Sequence, residues 1–143
     1  MLSSLTKKFT EGEMLQMLGE LLYAGEHITT ALYCIYKGTG FFASSSDIIA
    51  GYAALTDQNR LIGYKMGLIN DSAVSLDLGY LIKIKISNAL LGQKIIYLQV
   101  NDGKKSEVKF QIAPKIPGSK FQNQERNLEI LLDELRSRQN ILE

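Results

Sequence analysis

The stretch LDLGYLIKIKISNALLGQKIIYLQVNDGKKSEVKFQI, residues 76–112, determines the fold of this chain. Between residues 76 and 86 every even position is apolar, whereas four of the five odd positions are charged or glycine. Side chains alternate between the two faces of a β-strand, so this pattern predicts one buried face and one solvated face. Gly79 interrupts the run where a bulge or sharp bend is tolerated, and we expect a bend there to divide the segment into two strands.

The second half of the stretch predicts a β-hairpin whose turn lies at residues 101–103, Asn-Asp-Gly. Alternating residues supply the apolar face of its two arms, namely Ile96, Leu98 and Val100, then Val108, Phe110 and Ile112. A two-residue Asp-Gly turn would oppose Leu98 to Glu107 and bury the carboxylate. A three-residue loop with Gly103 in the left-handed conformation pairs Ile96 with Val108 instead, and we expect this register.

The outer face of these strands is predicted to carry the charged residues. The expected register opposes Tyr97 to Glu107. On the preceding strand, Lys83 and Lys85 form a short basic row. Such a row normally keeps an outer face solvated and protects a sheet edge. Binding of a partner is the alternative interpretation for these two lysines.

The composition is that of one globular domain with balanced charge. The chain has 143 residues, with 16 basic and 15 acidic side chains and a formal net charge of +1. This balance argues against nucleic-acid binding, which requires a concentrated basic field. Cys34 is the only cysteine, so we expect no intramolecular disulfide and no cysteine-based metal site. We also expect no signal peptide and no membrane-spanning segment, and hence a cytoplasmic protein.

Two amphipathic helices are predicted, one before and one after the strands. Residues 1–22 comprise a leader and a helix, with Thr10 as N-cap and Glu13 completing a capping box. The acidic polar face of this helix favours docking on the sheet or on a second subunit over a membrane surface. The second helix is expected at about residues 121–139, with a capping box of Ser119 and Gln122. Its buried stripe consists of Leu128, Leu131, Leu132 and Leu135.

Three further strands are predicted before the central stretch, at residues 26–37, 48–56 and 60–67. Residues 38–47 and 68–75 are predicted to be connections. The inward face of the first strand is expected to consist of Ile28, Leu32, Cys34 and Tyr36.

No catalytic, cofactor-binding or metal-binding residue is predicted. A buried small hydrophobe is the interpretation of Cys34, because it lies on the inward face. His27 is the only histidine, and it lies on the opposite face at the start of a strand. A general acid or base needs a nucleophile or a second titratable group nearby, and the sequence identifies none. We therefore expect a protein that is not an enzyme.

Several short stretches, taken in order, resemble the bacterial pleckstrin-homology-like (PH-like) domains, close to the GRAM-type variants. These stretches are Ala24-Gly25-Glu26-His27-Ile28, then residues 52–57 and 60–64, and Leu91-Gly92-Gln93-Lys94-Ile95. The resemblance covers about residues 22–138. It implies an α+β fold, a split β-barrel of six to seven antiparallel strands capped by a carboxy-terminal helix. Residues 1–22 would then be an additional leader and helix, and residues 23–143 the PH-like domain.

Lipid-binding PH domains hold phosphoinositide head groups with basic residues at the end of the first strand and the start of the second. In this chain Lys37 is alone there, because residues 38–59 contain neither lysine nor arginine. The resemblance therefore does not imply phosphoinositide or membrane binding for this protein.

The loop after Lys37 carries Phe41 and Phe42, which admit two interpretations. At least one ring could fold back over the mouth of the barrel. Alternatively, both could form an exposed apolar tip that contacts a partner or a neighbouring subunit.

Two functions follow from these expectations. The leading one is a non-enzymatic protein-interaction or scaffolding module, with self-association as one form of that interaction. Its candidate contact residues are Phe41, Phe42, Lys37, Lys83 and Lys85. The alternative is a small-ligand or lipid-binding barrel with an apolar cavity.

Overall fold

The computed structural model describes residues 10–39, 48–67, 70–116 and 121–142. It is an α+β structure in which two helices flank one seven-stranded antiparallel sheet. The strands are β1 (Ile28–Lys37), β2 (Ile48–Thr56), β3 (Arg60–Met66), β4 (Asp71–Asp77), β5 (Leu81–Asn88), β6 (Lys94–Asn101) and β7 (Lys105–Ile112). The helices are α1 (Glu11–Gly19) and α2 (Gln124–Leu142).

The strand order is β4-β3-β2-β1-β7-β6-β5, so the first strand lies at the centre and joins two meanders. Each neighbouring pair is antiparallel, and β1 contacts β7 through only its last three residues. Within the described residues β4 and β5 are not hydrogen-bonded to each other. The sheet is therefore open, and these two strands are its edges.

The main core lies between the inner face of the sheet and α2. The leucine stripe of α2 is buried as predicted, and it belongs to the same apolar cluster as Phe110 and Leu98. The start of α2 is attached to β1, because the side-chain amide of Gln124 donates to the carbonyl oxygen of Tyr33 at 2.8 Å. Asn127 donates to the carbonyl oxygen of Ala31 at 2.9 Å. These bonds fix the helix across the sheet.

A second, smaller core lies on the other face of β1–β3, under α1. Met14 and Leu18 of α1 are buried against Tyr52 and Ile62. The predicted N-cap is confirmed, since the Thr10 hydroxyl accepts the backbone N–H of Glu13 at 3.2 Å. Helix α1 thus docks on its own sheet, which was one of its two expected positions.

Tyr36 of β1 packs across Gly51 of β2 and Gly63 of β3, and its hydroxyl donates to the carbonyl oxygen of Tyr52 at 2.7 Å. A Cβ on Gly63 would lie 2.0 Å from the Tyr36 hydroxyl and 2.5 Å from the Tyr52 carbonyl oxygen. We expect Gly63→Ala to lower the free energy of unfolding by about 1–3 kcal/mol, because the backbone must move. Gly19→Ala is the control, since a Cβ there meets nothing within 4 Å. Urea unfolding measures both, and equal effects would contradict this prediction.

The sequence predicted β2, β3 and the division of residues 76–86 correctly, since a 3-10 turn at Leu78–Tyr80 separates β4 from β5. It was wrong to make residues 68–75 a connection, because β4 begins at Asp71. The residues of β4 are mostly small and polar, and their pairing with β3, such as Tyr64 with Ala73, defines the strand. Helix α2 begins at Gln124, and the proposed cap Ser119 lies outside the described residues.

The hairpin register differs from the prediction by two residues. Leu98 is opposite Val108, and Ile96 is opposite Phe110. The loop has three residues as expected and Gly103 has a φ of +103°, but the loop begins one residue later, after Asn101. A shift of two preserves the faces, so the predicted buried residues are buried.

Two bulges reverse the faces at single positions. The register shifts between Ile28 and Thr30, so Ile28 packs on the side of α1 instead of facing the main core. A second shift between Leu81 and Lys83 buries Leu81 and leaves Ile82 45% exposed. An inserted residue makes the side chains on one side of the bulge point to the opposite face from the one that alternation predicts, and alternation alone cannot indicate where this happens.

Candidate functional site

A row of directly opposed residues crosses four strands on the outer face of the sheet. Lys37 of β1 is opposite Lys109 of β7, Lys109 is opposite Tyr97 of β6, and Tyr97 is opposite Lys85 of β5. Directly opposed residues in antiparallel strands project from the same face. Three ammonium groups and one phenol therefore form one continuous row, which we call the lysine row.

The lysine row borders a shallow channel of about 280 Å³. Lys83 and Lys85 line it from β5, and Lys109 lines it from β7. Its floor is β6, where Ile95 and Tyr97 are half-buried. Neighbouring strands lie about 4.8 Å apart, so the two basic walls are about 10 Å apart. Lysines lie on both sides of the channel, and the side chains of Ile95 and Tyr97 lie along its floor.

One acidic residue accompanies the lysine row. The hydroxyl of Tyr97 donates a hydrogen bond to the carboxylate of Glu107. The pKa of Tyr97 is raised to about 12, mainly by desolvation and secondly by this hydrogen bond. The same bond lowers the pKa of Glu107. Tyr97 is therefore a neutral hydrogen-bonding group at neutral pH. Glu107 is a carboxylate, and one of its oxygens already accepts the bond from Tyr97. Among the described residues, the three lysines of the row outnumber the one carboxylate that is bonded to it.

Like charges directly opposite each other in a sheet are unfavourable. The register nevertheless opposes Lys37 to Lys109. Lys37 and Lys109 are partly exposed, so water reduces this repulsion without removing it. An anion between their ammonium groups would relieve it. The arrangement therefore favours an anionic ligand on this face.

Three predicted contact residues, Lys37, Lys83 and Lys85, are thus brought onto one face. The other two, Phe41 and Phe42, lie outside the described residues. The sequence interpretation missed Lys109 and Tyr97, and it treated Lys37 as alone. Two pairings explain this: β1 pairs with β7, which brings Lys37 opposite Lys109. The observed hairpin register also places Lys109 opposite Tyr97, where the expected register placed Glu107.

A second exposed feature lies at the turn between β5 and β6. Leu90 and Leu91 are 84% and 89% exposed. Leu91 has a φ of +60°, a conformation that costs energy for a leucine. Strained and exposed apolar residues together are typical of contact surfaces.

The histidine and the cysteine lie where the sequence placed them. His27 is exposed, and its Nδ1 lies 3.0 Å from Oδ2 of Asp57. Its backbone N–H donates to Oδ1 at 2.8 Å, and this bond lowers the pKa of Asp57. The pair closes the turn after β2. Cys34 is buried, and burial raises the pKa of its thiol, which disfavours the reactive thiolate.

The free edge of β5 is partly covered by α2. The side-chain amide of Gln139 donates to the carbonyl oxygen of Ile84 at 3.1 Å. Pairing of a foreign strand along this edge would have to displace that bond. No described element covers the outer face at the channel, so the face is the better candidate than the edge.

In the part of the chain that the structure describes, no group of three or more His, Cys, Asp or Glu side chains could hold a metal ion. Neither of the two described helices has the length and hydropathy that a bilayer-spanning helix requires. Comparison of the chain with protein-family models, curated proteins and solved structures finds no match.

Proposed function

We propose that this chain is a non-enzymatic protein-interaction module of the cytoplasm that binds its partner through the lysine row. The observation that carries the proposal is the register that aligns Lys37, Lys109, Tyr97 and Lys85 across four strands. A charged channel with one aromatic ring suits binding rather than covalent chemistry, because no activated nucleophile accompanies it among the described residues.

The proposal includes a PH-like split barrel as the architecture. Two features support it: the central position of β1 between two meanders, and the carboxy-terminal helix across the inner face. In such a fold the two meanders would bend towards each other, and α2 would cover the space between them. The open edges at β4 and β5 are compatible with a split rather than closed arrangement.

Binding of a small apolar ligand inside the sheet is the weaker candidate. The inner face is occupied by the protein's own side chains, including Tyr36, Phe110 and Leu98, each at most 2% exposed. A ligand would have to displace this packing, whereas none of the described elements fills the outer channel. The interior therefore favours the surface interpretation.

The experiment is an affinity capture from the cells that produce this protein, with Lys85→Glu plus Lys109→Glu as the test variant. Both lysines are surface residues, so we expect the variant to keep its circular dichroism and unfolding curve. The wild type should retain at least one protein that the variant loses.

The control variant is Arg126→Glu plus Arg136→Glu, which changes the net charge equally on the exposed side of α2. It should retain the captured protein. Light scattering on the same samples detects self-association through the lysine row. Capture that is identical for all three proteins, or an apolar ligand retained in native mass spectra, would contradict the proposed function.

A further inference from the structure

We propose that the partner contributes an extended acidic segment that lies in the channel along β6. This inference rests on the proposed function and specifies the chemistry of the partner. The two strands that carry the walls are about 10 Å apart and run alongside β6, so the backbone of one extended chain can lie between them along the floor. The occupant is therefore a single strand-like segment.

The spacing of the lysines indicates how the acidic residues must be arranged. Lys83 and Lys85 are separated by two positions on one strand, which is about 7 Å. Alternate side chains of an extended segment repeat at the same distance. Carboxylates at two alternate positions can therefore face Lys83 and Lys85 together. The carboxylate between them points to the other wall, where it can approach Lys109, which lies level with Lys85. Glu107 lies level with Lys83 on that wall and already accepts a bond from Tyr97. The segment recognised is a run of three acidic residues.

The floor of the channel argues for a polypeptide over other anions. Ile95 and Tyr97 are half-buried between the walls, where the backbone and methylene groups of a single chain can contact them. A bilayer surface would meet the ammonium groups first and would not reach this floor. Nucleic acid requires a broad basic field, which a net charge of +1 does not provide.

Lys83, Lys85 and Lys109 would bind such a segment mainly through charge, and the Tyr97 ring would add an apolar contact. Salt bridges between exposed groups contribute about 0.2–1 kcal/mol each. Reversing two of the lysines removes these contributions and adds repulsion, so we expect the affinity to fall about tenfold or more. The interaction should also weaken strongly with salt, because the Debye length shortens from about 30 Å at 0.01 M to about 3 Å at 1 M.

Fluorescence anisotropy with a labelled peptide tests the inference. The probe contains three consecutive glutamates flanked by glycine and serine, and a peptide of the same composition with the glutamates dispersed is the comparison. The wild type should bind the consecutive probe more tightly than the dispersed one. Lys85→Glu plus Lys109→Glu should weaken binding about tenfold, whereas Arg126→Glu plus Arg136→Glu should leave it unchanged.

Three results would overturn the inference: no binding of the consecutive probe, equal binding by the wild type and the lysine variant, or no preference over the dispersed peptide. Tighter binding to phosphatidylserine vesicles or to single-stranded RNA through the same lysines would also overturn it. If the cellular capture depends on the lysine row while the probe does not bind, only the partner class is wrong. If the capture does not depend on the lysine row, the proposed function itself is wrong.

Discussion

Glu26→Ala should lower the free energy of unfolding by about 3–5 kcal/mol, although the substitution removes only a few atoms. Glu26 is 4% exposed and Arg60 is 6% exposed. The carboxylate accepts bonds from the Nε and terminal N–H groups of Arg60 at 2.9 and 2.6 Å, and from the Thr56 hydroxyl at 2.6 Å. Without the Glu26 carboxylate, the buried guanidinium of Arg60 has no oppositely charged group bonded to it.

The remaining contacts of Arg60 cannot replace the carboxylate. Its guanidinium also donates to the Leu21 carbonyl oxygen at 2.9 Å and to the Ser75 hydroxyl at 2.7 Å, and it stacks on the Tyr23 ring. These partners are neutral, and none balances the charge. Through these contacts, Arg60 of β3 connects the segment after α1, at Leu21, to Ser75 of β4. The ion pair therefore holds the segment that follows α1 on the sheet, and its loss should loosen that attachment.

The pH dependence of stability reports the same ion pair. The hydrogen bond from Arg60 is the main reason why the pKa of Glu26 falls from 4.5 to about 2. A group whose pKa is lower in the folded state stabilises the protein above its unfolded pKa, and this contribution is lost as the pH falls through the folded pKa. Stability contributed by Glu26 should thus be complete above about pH 4.5 and decline towards about pH 2.

Urea unfolding at pH 7 and at pH 3, followed by circular dichroism, measures both effects. Glu26→Ala should lose less stability than the wild type between these two pH values. Glu129→Ala, at an exposed position of α2, is the matched control and should change stability by less than about 0.5 kcal/mol. A cost for Glu26→Ala below about 1 kcal/mol would show that the buried pair is not needed.

The double variant Glu26→Ala plus Arg60→Met separates the pair from the packing around it. Removing both charges leaves no unpaired ion, so the double variant should be more stable than Glu26→Ala alone. An additive loss would instead mean that each residue acts through separate contacts.

Local patterns predicted those parts of the fold that depend on neighbours in the chain. Alternation around Leu98 and Val108 identified the buried faces, and the spacing of the α2 leucines identified the buried stripe. Thr10 was recognised as a cap, because capping involves residues only three positions apart. These features are short-range, and each has its own residue signature.

Non-local pairing decided what the sequence could not predict. The bulge near Ile82 and the two-residue shift of the hairpin arise from the fit of whole strands to one another. Gln124, which anchors α2, carries no local sign that its partner is the Tyr33 backbone.

The candidate site depended on the same non-local information. Lys83 and Lys85 were visible as a pair on one strand. Their grouping with Lys37 and Lys109 required the pairing of four strands. Surface clusters assembled across a sheet have no spacing along the chain by which they could be recognised.

Leu131→Ala should lower the free energy of unfolding by about 2–5 kcal/mol, because α2 covers the inner face of an open sheet. Leu131 is 1% exposed and belongs to the apolar cluster that contains Leu98 and Phe110. Truncation removes apolar contacts and leaves a cavity, and the surroundings collapse only partly into it. The neighbouring residue provides the control, since Ile130 is 43% exposed.

Ile130→Ala should cost less than about 1 kcal/mol, because little buried area is lost and alanine favours the helix. The comparison isolates burial, since both substitutions remove an aliphatic side chain of the same size from adjacent positions of α2. Urea unfolding followed by circular dichroism measures the two variants under the same conditions. Equal costs would mean that α2 does not cover the core. A large cost confined to Leu131 would show that the open sheet depends on this helix to exclude water from its inner face.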